Sequence, residues 1–293
     1  MPPLAPPGAE TALPAGTRVS LPAPAKLNLF LHVTGRRPDG YHTLQTLFRL
    51  LDFGDTVHLT LRDDGAITRS CDLPGIPTDA DITVRAARLL QAASGCKQGV
   101  DIAVDKRVPA GGGLGGGSSD AASVLLGLNH LWRLDWSRQR LQDLGLQLGA
   151  DVPVFVFGQN AWAEGVGEAL QAVELPPAHY LVLTPPRGVA TATVFGAAQL
   201  THNHAPITIR AFFEGLSGND LEPVAKVMEP TIAEHLEWLS QHGEARMSGS
   251  GSSVFAAFAS ADDAQRVLQL AQPRRQGFVA QGLDLHPLFD WAS

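Results

Sequence analysis

A run of glycine residues near the middle of the chain has the composition of a phosphate-binding loop. Six of the seven residues from 111 to 117 are glycine, in the sequence VPAGGGLGGGSSD over residues 108–120, and an apolar helical pattern follows. Glycine has no Cβ, so consecutive backbone N–H groups can turn toward one anion. The first turn of the following helix adds unpaired N–H donors and the positive end of its dipole. The run is therefore a candidate phosphate cradle.

Other kinds of glycine-rich segment fit this run less well. A Walker A loop needs lysine and then serine or threonine after its last glycine, whereas Gly117 is followed directly by Ser118. The spacing within residues 111–116 satisfies the dinucleotide pattern GxGxxG, but residues 137–148 predict a second helix where that fold needs a parallel strand. A flexible linker is a third interpretation, although a linker rarely joins an apolar strand directly to an apolar helix. A phosphate cradle of another type remains the favoured interpretation.

Two ionisable residues stand where an enzyme could use them. Lys26 is one of only four lysines and lies in an apolar strand candidate, residues 24–31 (PAKLNLFL), where a buried ammonium group needs an anion. Asp151 precedes an apolar segment, residues 152–157, that predicts a buried strand. An aspartate held near a lysine can accept or orient the proton of an alcohol during phosphoryl transfer. Taken singly, Lys26 could equally reach solvent from a strand end, and Asp151 could equally cap a turn.

Three further segments have side chains that could line a site. Residues 247–255 (MSGSGSSVF) are either a simple β-turn or the opposite wall of an anion site. Tyr41 and His42 follow a turn, and aromatic rings at the start of a strand either stack on a base or pack structurally. His202 and His204 could form a metal pair, but no cysteine or acidic residue lies near them in the sequence, so we interpret this segment as a polar loop.

The composition predicts a globular protein and excludes several classes of partner. With 293 residues and 44% hydrophobic content, the chain can bury one large or two medium cores. A formal net charge of −7 argues against a nucleic-acid partner bound through a basic surface, although a nucleotide in a local pocket remains compatible. Two cysteines are too few for a disulfide framework and suit the reducing cytoplasm. No apolar run is long enough to span a bilayer, so we expect no membrane partner.

Hydrophobic periodicity predicts both strands and helices, with an extended or antiparallel sheet at the start of the chain. Strands are predicted at residues 18–23, 27–34, 44–53, 56–62, 100–108, 152–157, 180–184, 253–259 and 277–282. Helices are predicted at residues 82–94, 118–132, 137–148, 190–200, 220–228, 231–241 and 261–271. Glycine and proline in residues 158–177 indicate a domain crossing. We therefore expect a disordered tail, rather than a secretion signal, at residues 1–17, a first domain at 18–160 and a second at 161–293.

The motifs, in this order, resemble the signature of the GHMP small-molecule kinases. They are residues 24–28 (PAKLN), the glycine run, residues 149–153 (GADVP) and residues 247–251 (MSGSG). A longer likeness, over residues 25–31, 35–48, 51–55 and the glycine run, resembles one branch of that family. That branch phosphorylates the 2-hydroxyl of a cytidine-diphosphate-linked methylerythritol in the non-mevalonate pathway of isoprenoid synthesis. The resemblance covers residue 21 to the last predicted strand and is thin between residues 167 and 246.

The resemblance implies a fold, a nucleotide and a pair of catalytic residues. The fold has two α+β domains, each a mostly antiparallel sheet with helices on one side, and ATP lies across the glycine run. Asp151 takes the proton of the acceptor hydroxyl, and Lys26 stabilises both Asp151 and the attacking oxygen. The residues implied to wrap the ATP phosphates are Pro109, Ala110, Gly111, Gly112, Gly113, Leu114, Gly115, Gly116, Gly117, Ser118 and Ser119.

The resemblance also implies an acceptor pocket in the cleft between the domains. Asn28 would hold the sugar alcohol, Tyr41 and His42 would stack on and hydrogen-bond the cytosine, and Phe195 would supply a second stacking ring. ATP chemistry implies Mg²⁺, whose ligands stay unassigned except that Ser118 is the nearest plausible side chain.

We therefore expect a cytoplasmic kinase that acts on a small molecule, as a monomer or weak homodimer. The alternatives are a GHMP kinase acting on mevalonate, homoserine or a sugar, and a noncatalytic nucleotide-binding protein on the same scaffold. The Tyr41 and His42 slot discriminates among the kinases, because those other acceptors have no cytosine to stack.

Overall fold

The computed structural model describes residues 13–71 and 75–293. Its strands are β1 (Arg18–Arg36), β2 (His42–Arg62), β3 (Ile67–Arg69), β4 (Gly99–Asp105), β5 (Ala161–Glu164), β6 (Ala169–Ala172), β7 (His179–Leu183), β8 (Arg246–Met247), β9 (Val254–Phe258) and β10 (Gly277–Leu283). Its α-helices are α1 (Ile82–Ser94), α2 (Gly116–Leu131), α3 (Arg138–Leu146), α4 (Val152–Phe157), α5 (Thr191–Phe195), α6 (Ile209–Phe213), α7 (Glu222–Met228), α8 (Pro230–Ser240) and α9 (Ala261–Ala271). Short 3₁₀ helices occupy Thr78–Ala80 and Phe289–Trp291.

A long hairpin of β1 and β2 organises both halves of the molecule. β2 has 21 residues, so different parts of it pair with β1, β4, β5 and β10. In the second half, β10 pairs with β7, β7 with β9, and β9 with β8. Among the described strands, every pairing is antiparallel except that of β3 with β4. The predicted α+β class with mostly antiparallel pairing is confirmed.

Three apolar clusters fill the spaces between these layers. The first packs α1, α2 and α4 against β1, β2 and β4. The second packs α7, α8 and α9 against β7 and β9. The third lies where the hairpin meets β7 and β10, and it includes Leu27, Leu47 and Val182. This third cluster joins the two halves, because each half contributes apolar side chains to it.

Two features of the structure bear on the predicted domain limits at residues 17 and 160. After residue 160, β5 pairs with β2 and β6 pairs with β5, so the sheet of the first half continues to residue 172. Residues 13–17, at the end of the predicted tail, form a turn whose Gly16 N–H donates to Leu61 O at 2.8 Å. The rest of that tail, residues 1–12, lies outside the described residues. The division after residue 160 stays a prediction.

One predicted element was of the wrong type. Residues 152–157 form the helix α4 and not a strand. A short, continuous apolar run does not distinguish a buried strand from a buried helix, and this helix is buried along almost its whole length. Two local signals agree with a helix: Pro153 lies in the first turn, where its missing N–H is harmless, and Gly158 ends the helix with φ +75°. The change matters because Asp151 immediately precedes this helix.

The C-terminal segment is fastened to α4 by one arginine. Arg138 donates to the carbonyl oxygens of Val156 and Ala292, both at 2.6 Å, and to that of Phe289. Its guanidinium group also lies 4.4 Å from the centre of the Phe289 ring. The same side chain therefore connects the end of α4 to the last residues of the chain.

We expect Arg138→Ala to lower the free energy of unfolding by about 2–3 kcal/mol, because three partly buried carbonyl groups lose a charged donor. Urea unfolding followed by circular dichroism measures the change. Arg266→Ala is the matched control, since Arg266 is exposed and paired within α9, and it should change stability by less than about 1 kcal/mol. Equal effects of the two substitutions would contradict the role given to Arg138.

Candidate active site

A cleft of about 1200 Å³ lies between the β1–β2 hairpin, the glycine run and α5. Residues from distant parts of the chain meet there, as the sequence predicted for one site. The predicted site residues that line it are Lys26, Asn28, Tyr41, His42, Pro109, Ala110, Gly111, Gly112, Gly113, Leu114, Gly115, Gly116, Gly117, Ser118, Asp151 and Phe195. Ser119 is buried and does not line the cleft.

The glycine loop, residues 109–119, needs glycine for steric reasons at two positions. Gly113 has φ +73°, and a Cβ on it would lie 2.1 Å from Ser248 O. Gly115 has φ +71°, and a Cβ there would lie 2.8 Å from the Phe155 ring. These separations are too short for any side chain, so the loop is closely packed and not a flexible linker.

Helix α2 begins directly from this loop. Its first hydrogen bond runs from Ser119 N to Gly115 O at 2.9 Å, so the amide groups of the preceding turn have no acceptor within the helix. Those groups and the helix dipole make the turn an anion-binding position at the wall of the cleft. Ser118 lies in this first turn and lines the cleft.

Lys26 is a buried ammonium group surrounded by oxygen atoms. Its side chain is 3% exposed, and Nζ lies 2.5 Å from Asn28 Oδ1, 3.0 Å from Gly113 O and 3.3 Å from Asp151 Oδ2. A buried charge requires such partners, and one of them is itself charged. The alternative that Lys26 reaches out to solvent is wrong.

Asp151 faces the cleft at the start of α4. Its side chain is 36% exposed, and it makes no capping hydrogen bond to the helix. The interpretation of Asp151 as only a turn cap therefore has no hydrogen bond to support it. Phe155, one turn further along α4, packs against Gly115, so this short helix supports the glycine loop and holds the carboxylate.

The second glycine loop, residues 247–253, braces the first one. Ser248 Oγ donates to Gly113 O at 2.9 Å, and Ser253 N donates to Gly112 O at 3.1 Å. Asn28 N donates to Ser248 Oγ at 3.2 Å, which ties the same serine to β1. Most of this loop supports the phosphate cradle, while Gly249 and Ser250 line the cleft.

Aromatic rings gather where the hairpin and α5 line the cleft. Tyr41 is 65% exposed, and the rings of His42 and Phe195 lie 5.2 Å apart at 28°. The ring of His202 stacks on His42 at 4.9 Å and 13°, a contact that sequence reasoning did not find. The pKa of His42 is lowered, chiefly by burial and further by the nearby His202 and Arg36. The lowered pKa favours the neutral imidazole.

A charged cluster beneath the glycine loop was also missed by the sequence analysis. Lys106 Nζ donates to Asp120 Oδ2 at 2.7 Å and to Asp55, and Asp55 Oδ1 accepts from Val108 N at 2.7 Å. Burial of Asp120, together with the nearby Asp55 carboxylate, raises its pKa to about 7 despite Lys106. The cluster ties β2 and α2 to the start of the glycine loop. Its members come from three distant segments, so no local pattern could reveal it.

The described residues offer no ready-made metal cage. Among residues 13–71 and 75–293, no group of three His, Cys, Asp or Glu side chains could hold a metal ion. Within the same residues, no helix is both long and apolar enough to cross a membrane.

Two family models match this chain, one in each half. The model of the GHMP kinases N terminal domain matches residues 81–159, and that of the GHMP kinases C terminal domain matches residues 198–271. A 4-diphosphocytidyl-2-C-methyl-D-erythritol kinase of Thiobacillus denitrificans is 61% identical over 93% of this chain and 98% of that protein. The chain belongs to the 4-diphosphocytidyl-2-C-methyl-D-erythritol kinase family. A kinase of the same name from Dechloromonas aromatica is 56% identical over 91% of this chain and 98% of its own length.

Solved structures place this kinase family within a wider fold. A crystal structure of a 4-(cytidine 5'-diphospho)-2C-methyl-D-erythritol kinase has a TM-score of 0.78 and 34% identity, over 90% of this chain and 99% of that one. A homoserine kinase from Cytophaga hutchinsonii has a TM-score of 0.68 at 17% identity, over 92% of this chain and 95% of that one. The second likeness concerns the fold alone. The expected two-domain GHMP kinase fold is confirmed.

We expect the effect of Asp120→Asn on the free energy of unfolding to become more favourable as the pH rises. The pKa of Asp120 is raised in the folded state, so between about pH 4 and pH 7 the folded protein holds a proton that the unfolded chain has lost. The free energy of unfolding therefore falls as the pH rises through that range. Asparagine has no such proton. The difference in unfolding free energy, variant minus wild type, should therefore grow by about 2 kcal/mol between pH 5.5 and pH 8.5.

Denaturant unfolding at several pH values measures this difference. Asp63→Asn is the control, because Asp63 is exposed at the end of β2, and its difference from wild type should stay nearly flat over the same range. A flat profile for Asp120→Asn would show that the aspartate is ionised in the folded state throughout that range.

Proposed function

We propose that this chain transfers the γ-phosphoryl group of ATP to the 2-hydroxyl of 4-diphosphocytidyl-2-C-methyl-D-erythritol. Relatives of high identity over nearly their full length are named as kinases of this compound. The observation that carries the proposal within the molecule is the 3.3 Å pair of Lys26 and Asp151 beside the N-terminus of α2. An alcohol held there would meet a carboxylate and an anion-binding turn together.

In this proposal, Asp151 orients the acceptor hydroxyl and accepts its proton. Lys26 neutralises Asp151 and offers positive charge to the attacking oxygen as that oxygen becomes negative. Both side chains are held by neighbouring elements before any substrate arrives, so little reorganisation is needed. Phosphoryl transfer depends mainly on such positioning and charge neutralisation.

The glycine loop and the first turn of α2 would hold the ATP phosphates. Their backbone N–H groups supply hydrogen bonds, and the helix dipole supplies further positive potential. Mg²⁺ that accompanies the nucleotide would neutralise charge on its phosphates, with Ser118 as the side chain best placed to contact it. The buried Ser119 would contribute through the backbone of the helix and not through its hydroxyl group.

The acceptor would lie along the hairpin side of the cleft. Tyr41 and Phe195 would stack on the cytosine, the His42 imidazole would hydrogen-bond it, and Asn28 would hold the sugar alcohol next to Asp151. The exposed Tyr41 ring favours this interpretation over structural packing, because a ring that is 65% exposed contributes little to the core. We further propose a cytoplasmic location, which the two free cysteines support. We also propose a monomer or weak homodimer with domains divided near residue 160.

We expect Asp151→Asn to lower kcat about a thousandfold while the affinity for ATP changes less than about twofold, because only the proton acceptor is lost. A coupled assay of ADP release with the cytidyl alcohol measures kcat, and fluorescence titration with an ATP analogue measures affinity. Asp143→Asn, an exposed change on α3, is the control and should retain wild-type rates. A variant at Asp151 that keeps more than a tenth of the rate would contradict its role as base.

The same assay tests the acceptor itself. Activity with the cytidyl alcohol should exceed that with mevalonate or homoserine by at least a hundredfold, because only the first offers a base to the Tyr41 ring. Comparable rates with mevalonate would favour the alternative GHMP kinase. No ADP release with any acceptor, but firm nucleotide binding, would favour the noncatalytic alternative.

A further inference from the structure

A short segment between α5 and α6 lies across the β1–β2 hairpin, and we name residues 200–207 the histidine strap. Its His204 N donates to Val33 O at 2.9 Å. Further along, Ile207 N donates to Gln45 Oε1 at 2.8 Å, and Gln45 Nε2 donates back to Ile207 O at 3.3 Å. These bonds join a segment of the second half to both strands of the hairpin.

One histidine of the strap anchors it on a buried partner. The rings of His204 and His32 stack at 3.6 Å and 8°, and His32 is only 2% exposed. Asp220 holds the other side of this pair, since its carboxylate lies 2.9 Å from His204 Nδ1 and also accepts from Val33 N at 2.7 Å. Burial and then His204 lower the pKa of His32, against the effect of Asp220. The anchor is therefore built from neutral His32 and a fixed His204.

The other histidine of the strap reaches the acceptor end of the cleft indirectly. His202 precedes the anchor by two residues and stacks on His42 at 4.9 Å and 13°. His42 lines the cleft, whereas His202 does not. The Nε2 atom of His42 is buried and has no hydrogen-bond partner among the described residues. This nitrogen is closed off from solvent, so the position of the ring depends on the groups packed around it.

The groups around His42 come from three elements. His202 faces it from the strap, Arg36 from β1 and Phe195 from α5. Burial, together with the nearby His202 and Arg36, disfavours protonation of His42, so this side chain is a neutral imidazole at the cleft. A neutral imidazole has one donor and one acceptor, which suits the polar edge of a pyrimidine.

We propose that His202 is a positioning residue for the acceptor: by stacking on His42 it holds that imidazole in the orientation that bonds the cytidine half of the substrate. This inference rests on the proposed function. His202 does not line the cleft, and the contact through which it can act on the acceptor is its stack on His42. Because the strap is anchored separately by His204, loss of the His202 ring should leave the rest of the strap in place.

The test compares three substitutions in the full-length enzyme. His202→Ala should raise KM for the cytidyl alcohol about three- to tenfold, the range expected for loss of one aromatic stack, while kcat and KM for ATP change less than twofold. His202→Phe keeps a flat ring and should restore KM to within twofold of wild type. Asn203→Ala, an exposed change in the same strap, is the matched control and should have no effect.

Two further measurements distinguish positioning from a general structural role. Calorimetric titration should show weaker binding of CDP to His202→Ala, with unchanged binding of ADP. In wild type, KM for the acceptor should rise as the pH falls from 7.5 to 5.5, because protonation of His42 places a positive charge next to Arg36.

The outcomes separate this inference from the proposed function. Failure of the wild-type enzyme to phosphorylate the cytidyl alcohol would overturn both. An active wild type with unchanged acceptor KM and CDP affinity in His202→Ala would overturn the positioning role alone. A variant that loses ATP affinity to the same extent, or melts several degrees lower, would overturn it as well, because the ring would then support the fold.

Discussion

The burial of one ammonium group sets most of the geometry of the cleft. Lys26 is almost completely removed from water, so it is tolerated only where several oxygen atoms converge on it. Those atoms belong to β1, the glycine loop and the residue before α4, which are far apart in the sequence. A shift of any one of these elements would leave a buried charge poorly paired. The requirement to satisfy Lys26 therefore also places Asp151 next to the glycine loop.

The glycine loop is held in shape from both sides, although its sequence alone suggests flexibility. Ser248 and Ser253 fix the carbonyl groups of Gly113 and Gly112, and Phe155 packs against Gly115 on the other side. A loop held in this way presents its N–H groups to a phosphate without an ordering cost at the moment of binding. Such preorganisation is what makes hydrogen-bond donors effective in stabilising developing charge.

The sequence predicted the parts of this site that leave a local trace. Lysine in an apolar strand, a glycine run before a helix and an aspartate before an apolar run were each visible, and their order suggested the family. The helical form of α4 was not predictable from an apolar run of six residues, since a strand and a buried helix both accept it. The Lys106 cluster and the stack of His202 on His42 depend on pairings across the fold, which no short pattern encodes.

The two halves of the molecule complete each other's parts of the cleft. Residues 247–253 belong to the second half yet brace the glycine loop, and the histidine strap belongs to the second half yet packs on the hairpin. Lys26 and Asn28 lie on β1, the strand that Ser248 contacts at Asn28 and the histidine strap contacts at His32. A movement of one half against the other would therefore disturb the phosphate end and the acceptor end together. Because transfer requires both substrates in register, this shared dependence on β1 couples acceptor recognition to the alignment of the phosphoryl group.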